Sequence, residues 1–197
     1  MKTEEIYEET NDFVINSINE IINVQIIIDT DKLISDFETP SVDDESPIAI
    51  DHNYMYVVVS TPNETIGHES NINLKLSAEV GDIIRFNTIS EYNNMDNSVL
   101  LCEVKKVKGA NVFGRFKSKF FNKISIEAAI GESPLPPVFV KRAFWFYESS
   151  VKKIGKETFS LKFALYVRRR GQQDPILWGY YICNQVIVVR GLSAIHE

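Results

Sequence analysis

The chain has 197 residues, 44% of them apolar and 24% charged, and a net charge of −6. That size and mixture suit one sizeable soluble domain whose core needs no disulfide or metal to form. No run approaches the ~18 apolar residues that cross a bilayer, and the acidic start MKTEEIYEETND lacks the positive region and apolar core of a secretory signal, so the expectation is a cytoplasmic protein with no membrane partner.

In chain order, residues 3–22 form the one helix candidate. Ile6, Phe13, Val14, Ile18, Ile21 and Ile22 fall partly on one face, with glutamates opposite. This predicts a helical extension over 1–22, followed by a single domain over 23–197 that reads as strands. NVQIIID is a short β-branched run, as in a strand covered on both faces. INLKL alternates, VGDIIRFNTIS leaves a Gly-Asp turn as a strand, and SVLLCEVKKV is apolar first and half exposed later. VFVKRAFWFY is rich in aromatics. In FSLKFALYV, Phe159, Leu161, Phe163, Leu165 and Val167 occupy every second position and so share one sheet face. LWGYYI and VIVV close the series. Residues 35–47, acidic and proline-bearing, and 122–137, ending in PLPP, read as loops. Eight or nine strands without intervening helices predict an all-β, antiparallel two-sheet sandwich, jelly-roll-like, with the amino-terminal helix appended.

The charge is divided along the chain. Residues 1–100 carry twenty Asp and Glu against four Lys and Arg, and residues 101–197 carry seven against seventeen. Folded around one core, such halves give acidic and basic surfaces that attract copies of the same molecule, against the weak repulsion of a modest net charge. The basic residues are scattered along strand-like segments, and RRR at 168–170 reads as a solvated hairpin end. A nucleic-acid groove needs interleaved exposed aromatics and positive net charge, and the reading excludes that partner.

No GxSxG, HExxH or neighbouring Cys/His pair is present. Cys102 and Cys183 lie 81 positions apart in two likely strands and read as reduced, buried thiols. No catalytic residues are assigned. Oxygen donors at Asp29, Asp31, Asp43, Asp44, Glu45, Asp51 and Asn53 are of the types that surround calcium, although not at EF-hand spacing, and Asp29 and Asp31 are the candidate metal ligands. Asp51, His52 and Asn53, followed by Tyr54, offer the polar anchors and ring that a sugar site uses. The same residues equally read as the turn that launches the next strand.

Taken together, VQIIIDTDKLISDF, PS at 40–41, PIAIDHNYMYVVV, VGDIIRF, NVF at 111–113, FALYV and GYY at 179–181 make a pattern that resembles the bacterial inclusion body protein family, of the PixA and AidA type. The resemblance runs from about Val24 to Val189, and IDT followed by IDHN is its most specific part. It implies a protein without enzymatic activity that accumulates in bacterial cells, sometimes as crystalline inclusions, in bacteria associated with invertebrate hosts. The implied partners are copies of itself, with a glycan-binding, calcium-assisted module as the alternative. It also places Asp51, His52 and Asn53 on one motif and Asp29 and Asp31 on the other, with the two motifs expected to adjoin at a sandwich edge.

Overall fold

A computed structural model describes residues 19–61, 65–69, 73–131 and 133–191, of which 65–69 as backbone alone. Eleven strands and one short helix follow in this order: β1 (Ile21–Ile28), α1 (Thr30–Asp36), β2 (Ile48–Ala49), β3 (Met55–Ser60), β4 (Thr65–Glu69), β5 (Asn73–Ser77), β6 (Ile83–Ser90), β7 (Asn97–Gly109), β8 (Lys117–Glu127), β9 (Val138–Ser150), β10 (Gly155–Val167) and β11 (Ile176–Arg190). The expected helix over 3–22 lies outside the described residues up to position 18. Its last two residues, Ile21 and Ile22, belong to β1, where β-branched side chains fit a half-covered pleated surface.

The strands form two sheets. One has six strands in the order β4-β3-β1-β6-β9-β8. The other runs β2-β11-β10-β7, and β5 also pairs with β11. Both sheets are mixed, which corrects the antiparallel, jelly-roll-like expectation: β1 lies parallel to β6, and β11 lies parallel to both β2 and β5. Parallel pairs require a long crossover, and between β1 and β6 the chain supplies one by passing through α1, β3, β4 and β5.

One apolar cluster takes side chains from both sheets, among them Ile26, Ile28, Ile84 and Phe86 from the first and Leu101, Leu161, Phe163 and Ile187 from the second. β10 crosses the middle of the second sheet and adds four side chains to this cluster. Phe159, Leu161, Phe163 and Leu165 are each at most 2% exposed, as their period-two spacing predicts.

Two elements depart from the sequence reading. The DTDKLISD stretch turns into α1, so a helix interrupts the strands. The segment 122–137 is not all loop, because its first six residues complete β8. β8 and β9 pair over their whole lengths, from Lys117 opposite Glu148 to Glu127 opposite Val138. β9 pairs with β6 only through Tyr147–Ser150. The remainder of this hairpin is a two-stranded arm that continues beyond the rest of its sheet.

Candidate functional site

The two sequence motifs meet through the main chain. The Asp29 N–H donates to the Tyr54 carbonyl at 2.9 Å, joining the end of β1 to the turn before β3. Asp29 caps α1, its carboxylate accepting from the Lys32 N–H at 2.9 Å. The other free donors of the helix start are also engaged. Glu91, in the turn after β6, accepts from the Thr30 N–H at 2.8 Å, the Thr30 hydroxyl at 2.9 Å and the Asp31 N–H at 3.0 Å. The Leu33 N–H donates to the Asp29 carbonyl at 3.2 Å. With these four N–H groups satisfied, the helix start has no open donor for an anion. The Asp31 carboxylate accepts from the Tyr92 hydroxyl.

Asp51, His52 and Asn53 make a single 3-10 turn with Tyr54. Asp51 caps it, one carboxylate oxygen accepting from the Asn53 N–H at 2.8 Å and the other from the Asn53 side-chain amide at 3.0 Å. Lys32 donates to the Asn53 carbonyl at 3.1 Å and lies 4.9 Å from the Tyr54 ring centroid, while the Tyr54 hydroxyl donates to Asp36 at 3.0 Å. His52 is half-buried. Burial pulls its imidazole below the usual histidine range, opposed by the Asp51 carboxylate and a hydrogen bond to the Asn184 backbone.

The predicted site residues are therefore neighbours, yet each carboxylate turns to a donor of its own. Asp29 faces the helix, Asp31 faces Tyr92 and Asp51 closes its own turn. Among the described residues, no three His, Cys, Asp or Glu side chains converge in a way that holds a metal ion. Geometrically this is a joint, in which one lysine and three caps lock α1 against the start of β3.

Other landmarks of the sequence pattern are joints of the same kind. PS meets GYY where the Tyr180 N–H donates to the Ser41 carbonyl at 2.8 Å. A Cβ on Gly179 would lie 2.6 Å from Pro40 Cβ, so only glycine allows this approach. NVF meets β10 at Glu157, a carboxylate 1% exposed that accepts from the Val112 N–H at 2.8 Å and the Phe113 N–H at 3.0 Å. Its second oxygen pairs with Lys106 at 2.7 Å. VGDIIRF contributes Asp82, which accepts from the Glu20 N–H at 2.9 Å and the Glu79 N–H at 2.8 Å.

Sequence reasoning missed Glu157, although a signal was present. Extending the FSLKFALYV alternation one step back puts position 157 on the core face, where a carboxylate needs internal donors. Beside it, β7, β10 and residues 111–116 enclose a cleft of about 690 Å³. Its polar groups hold one another: Tyr147 donates to the Cys102 carbonyl, and Lys162 donates to the Asp44 carbonyl at 3.1 Å. The arm was missed as well, and it carries Phe120, Ile124, Ile126 and Phe139, each at least 65% exposed.

The family model for PixA, inclusion body protein, matches residues 20–189. The crystal structure of an inclusion body protein, PixA, from Burkholderia cenocepacia J2315 is similar to this chain with a TM-score of 0.73 and 25% sequence identity. That similarity covers 87% of this chain and 97% of the other. No curated protein matches the chain.

Proposed function

Because the chain belongs to the PixA inclusion body protein family, we propose that it is a non-catalytic protein that accumulates in the cell by associating with its own copies. The match across residues 20–189 carries this reading. The motif residues support it from the inside, since their polar groups are engaged in joints that stiffen the two-sheet body. The surface supports it from the outside. The carboxylates of Asp29, Asp31 and Glu91 gather around α1. Lys105, Lys106 and Lys108 lie along the far part of β7, where it pairs with the start of β10.

Attraction between such patches is screened over about 10 Å at 0.1 M salt, so packing that depends on it weakens as salt rises. Light scattering of the purified protein against ionic strength is the test. Scattering should fall steadily between low and ~0.5 M salt, because the screening length there is under half its 0.1 M value. Scattering that stays at the monomer level at every ionic strength contradicts the reading.

A further inference from the structure

The β8–β9 arm has two unlike faces. Directly opposed residues of an antiparallel pair share a face, and β6 shows which face is which. Phe86, fully buried, lies opposite Tyr147, and Arg85 lies opposite Glu148. Continuing Tyr147 outward by twos gives Trp145, Ala143, Lys141 and Phe139, opposite Phe120, Asn122, Ile124 and Ile126. This core-side face holds one charge, Lys141. The outer face mixes six charges, Lys117, Lys119, Lys123, Arg142, Glu127 and Glu148, with Phe121, Phe144, Phe146, Val138 and Val140, and the Arg85 guanidinium lies 4.3 Å from the Phe146 ring.

Under the root of the arm the opposing sheet is still present, since Tyr147 donates to the Cys102 carbonyl of β7. Further out the apolar face continues, but at Phe120 (71% exposed) and Phe139 (71% exposed) no layer of the described residues lies over it. At the roughly 150–250 Å² that each aromatic side chain can bury, three rings and two isoleucines, with Trp145 already half covered, present on the order of 500–600 Å². That is the upper end of the largest apolar patch on a typical monomer, and patches of that size are often functional. A standard interface takes ~800 Å² per partner, and this face supplies roughly two-thirds of that.

We infer that the core-side face of the β8–β9 arm packs against the same face of a second copy of this chain, each arm supplying the sheet layer that the other lacks. The inference deepens the self-association reading by naming the first contact. The charge pattern selects the occupant. The arm is net basic, so two copies repel least through the face that carries one charge, whereas an acidic partner would be drawn to the lysines of the outer face. A two-fold contact needs a self-complementary surface, and an apolar stripe with one lysine off its centre meets that need.

The test is the solution mass of the full chain, by light scattering coupled to size exclusion, at low and at 1 M salt. At 1 M salt the wild type should have twice the 22.5 kDa of one chain, because apolar burial is not screened, and at low salt at least that mass. Phe120→Glu combined with Phe139→Glu should reduce the mass to one chain. Both positions are exposed, so circular dichroism should match the wild type, and the thermal midpoint should match that of wild type diluted until it is a single chain. Trp145 adds a second readout, a blue shift of emission with rising concentration that the double variant loses. Phe13→Glu, in the leading segment, should leave the dimer intact. A wild-type monomer, a dimer that survives the double substitution, or a dimer lost with Phe13→Glu instead each overturns the inference. The dimer is measured at 1 M salt and the larger assembly by its salt dependence, so either can fail while the other stands.

Discussion

Replacing Glu157 by alanine tests whether one buried carboxylate holds the 111–116 crossing against β10. Removing it leaves the Val112 and Phe113 N–H groups, bonded at 2.8 and 3.0 Å in the native fold, without an acceptor in a buried place. Each such orphan costs ~1–3 kcal/mol. The Lys106 pair adds little, about 0.5 kcal/mol, because the lysine side chain is 36% exposed and solvent screens it. The sum is ~3–6 kcal/mol, a large part of the ~5–15 kcal/mol that keeps a typical domain folded. Glu157→Gln retains an acceptor of the same shape without the charge and should lose only ~1–2 kcal/mol. Urea denaturation followed by circular dichroism reads both as shifts of midpoint at constant slope. An alanine variant within ~1 kcal/mol of wild type refutes the reasoning, since the crossing would then be held by packing alone. Lys106→Met, predicted to cost under ~1 kcal/mol, separates the ion pair from the hydrogen bonds.

Other expectations follow from the same joints. The imidazole of His52 lies below its ordinary value of 6.5 in the fold, so the unfolded chain takes up its proton first as pH falls. Its contribution to stability is therefore complete above about pH 6.5 and is lost as the pH drops through the folded-state value. His52→Gln should flatten that part of a stability-against-pH curve measured by thermal melting. Burial pushes the Cys183 thiol up to about 12 and raises Cys102 as well. Cys183 should resist a thiol reagent at pH 8 in the native protein and react promptly in urea, whereas Cys102, expected buried but only half covered, should react faster than Cys183; a fast native reaction of Cys183 contradicts its placement. Gly179→Ala brings a methyl group against Pro40 and should cost ~1–3 kcal/mol in the same denaturation assay; a neutral result means the 40–41 loop does not sit there.

The strand content was legible wherever one face of a strand is buried. β10 alternates plainly because its core side is continuous, and β1 and β6 show apolar runs for the same reason. α1 was not legible. Seven residues are too few for a helical period to declare itself, and its start depends on Glu91, 61 positions away along the chain. β8 was read as a loop from Asn122 onward because the segment ends in PLPP, although Phe120, Ile124 and Ile126 sit at alternate positions, a stripe that Asn122 interrupts. The parallel pairs β1–β6 and β11–β5 depend on which strands the folded chain brings together, and no local pattern records that. At the site, the adjacency of the IDT and IDHN motifs was an expectation attached to the family resemblance, and the main-chain bond from Asp29 to Tyr54 joins them. The partner of each carboxylate was not, because Tyr92 and Glu91 come from a distant turn. Asp51 shows both sides of this: Asp-x-Asn favours a capped turn on local grounds, and a capped turn is what it forms.

Electron tomography of bacterial cells producing the full chain tests the account most directly. Dense bodies should fill part of the cell with the wild-type chain, and the Phe120→Glu, Phe139→Glu variant at equal abundance should be dispersed. A wild-type chain spread evenly through the cell at that abundance contradicts the claim that this protein works by packing against itself.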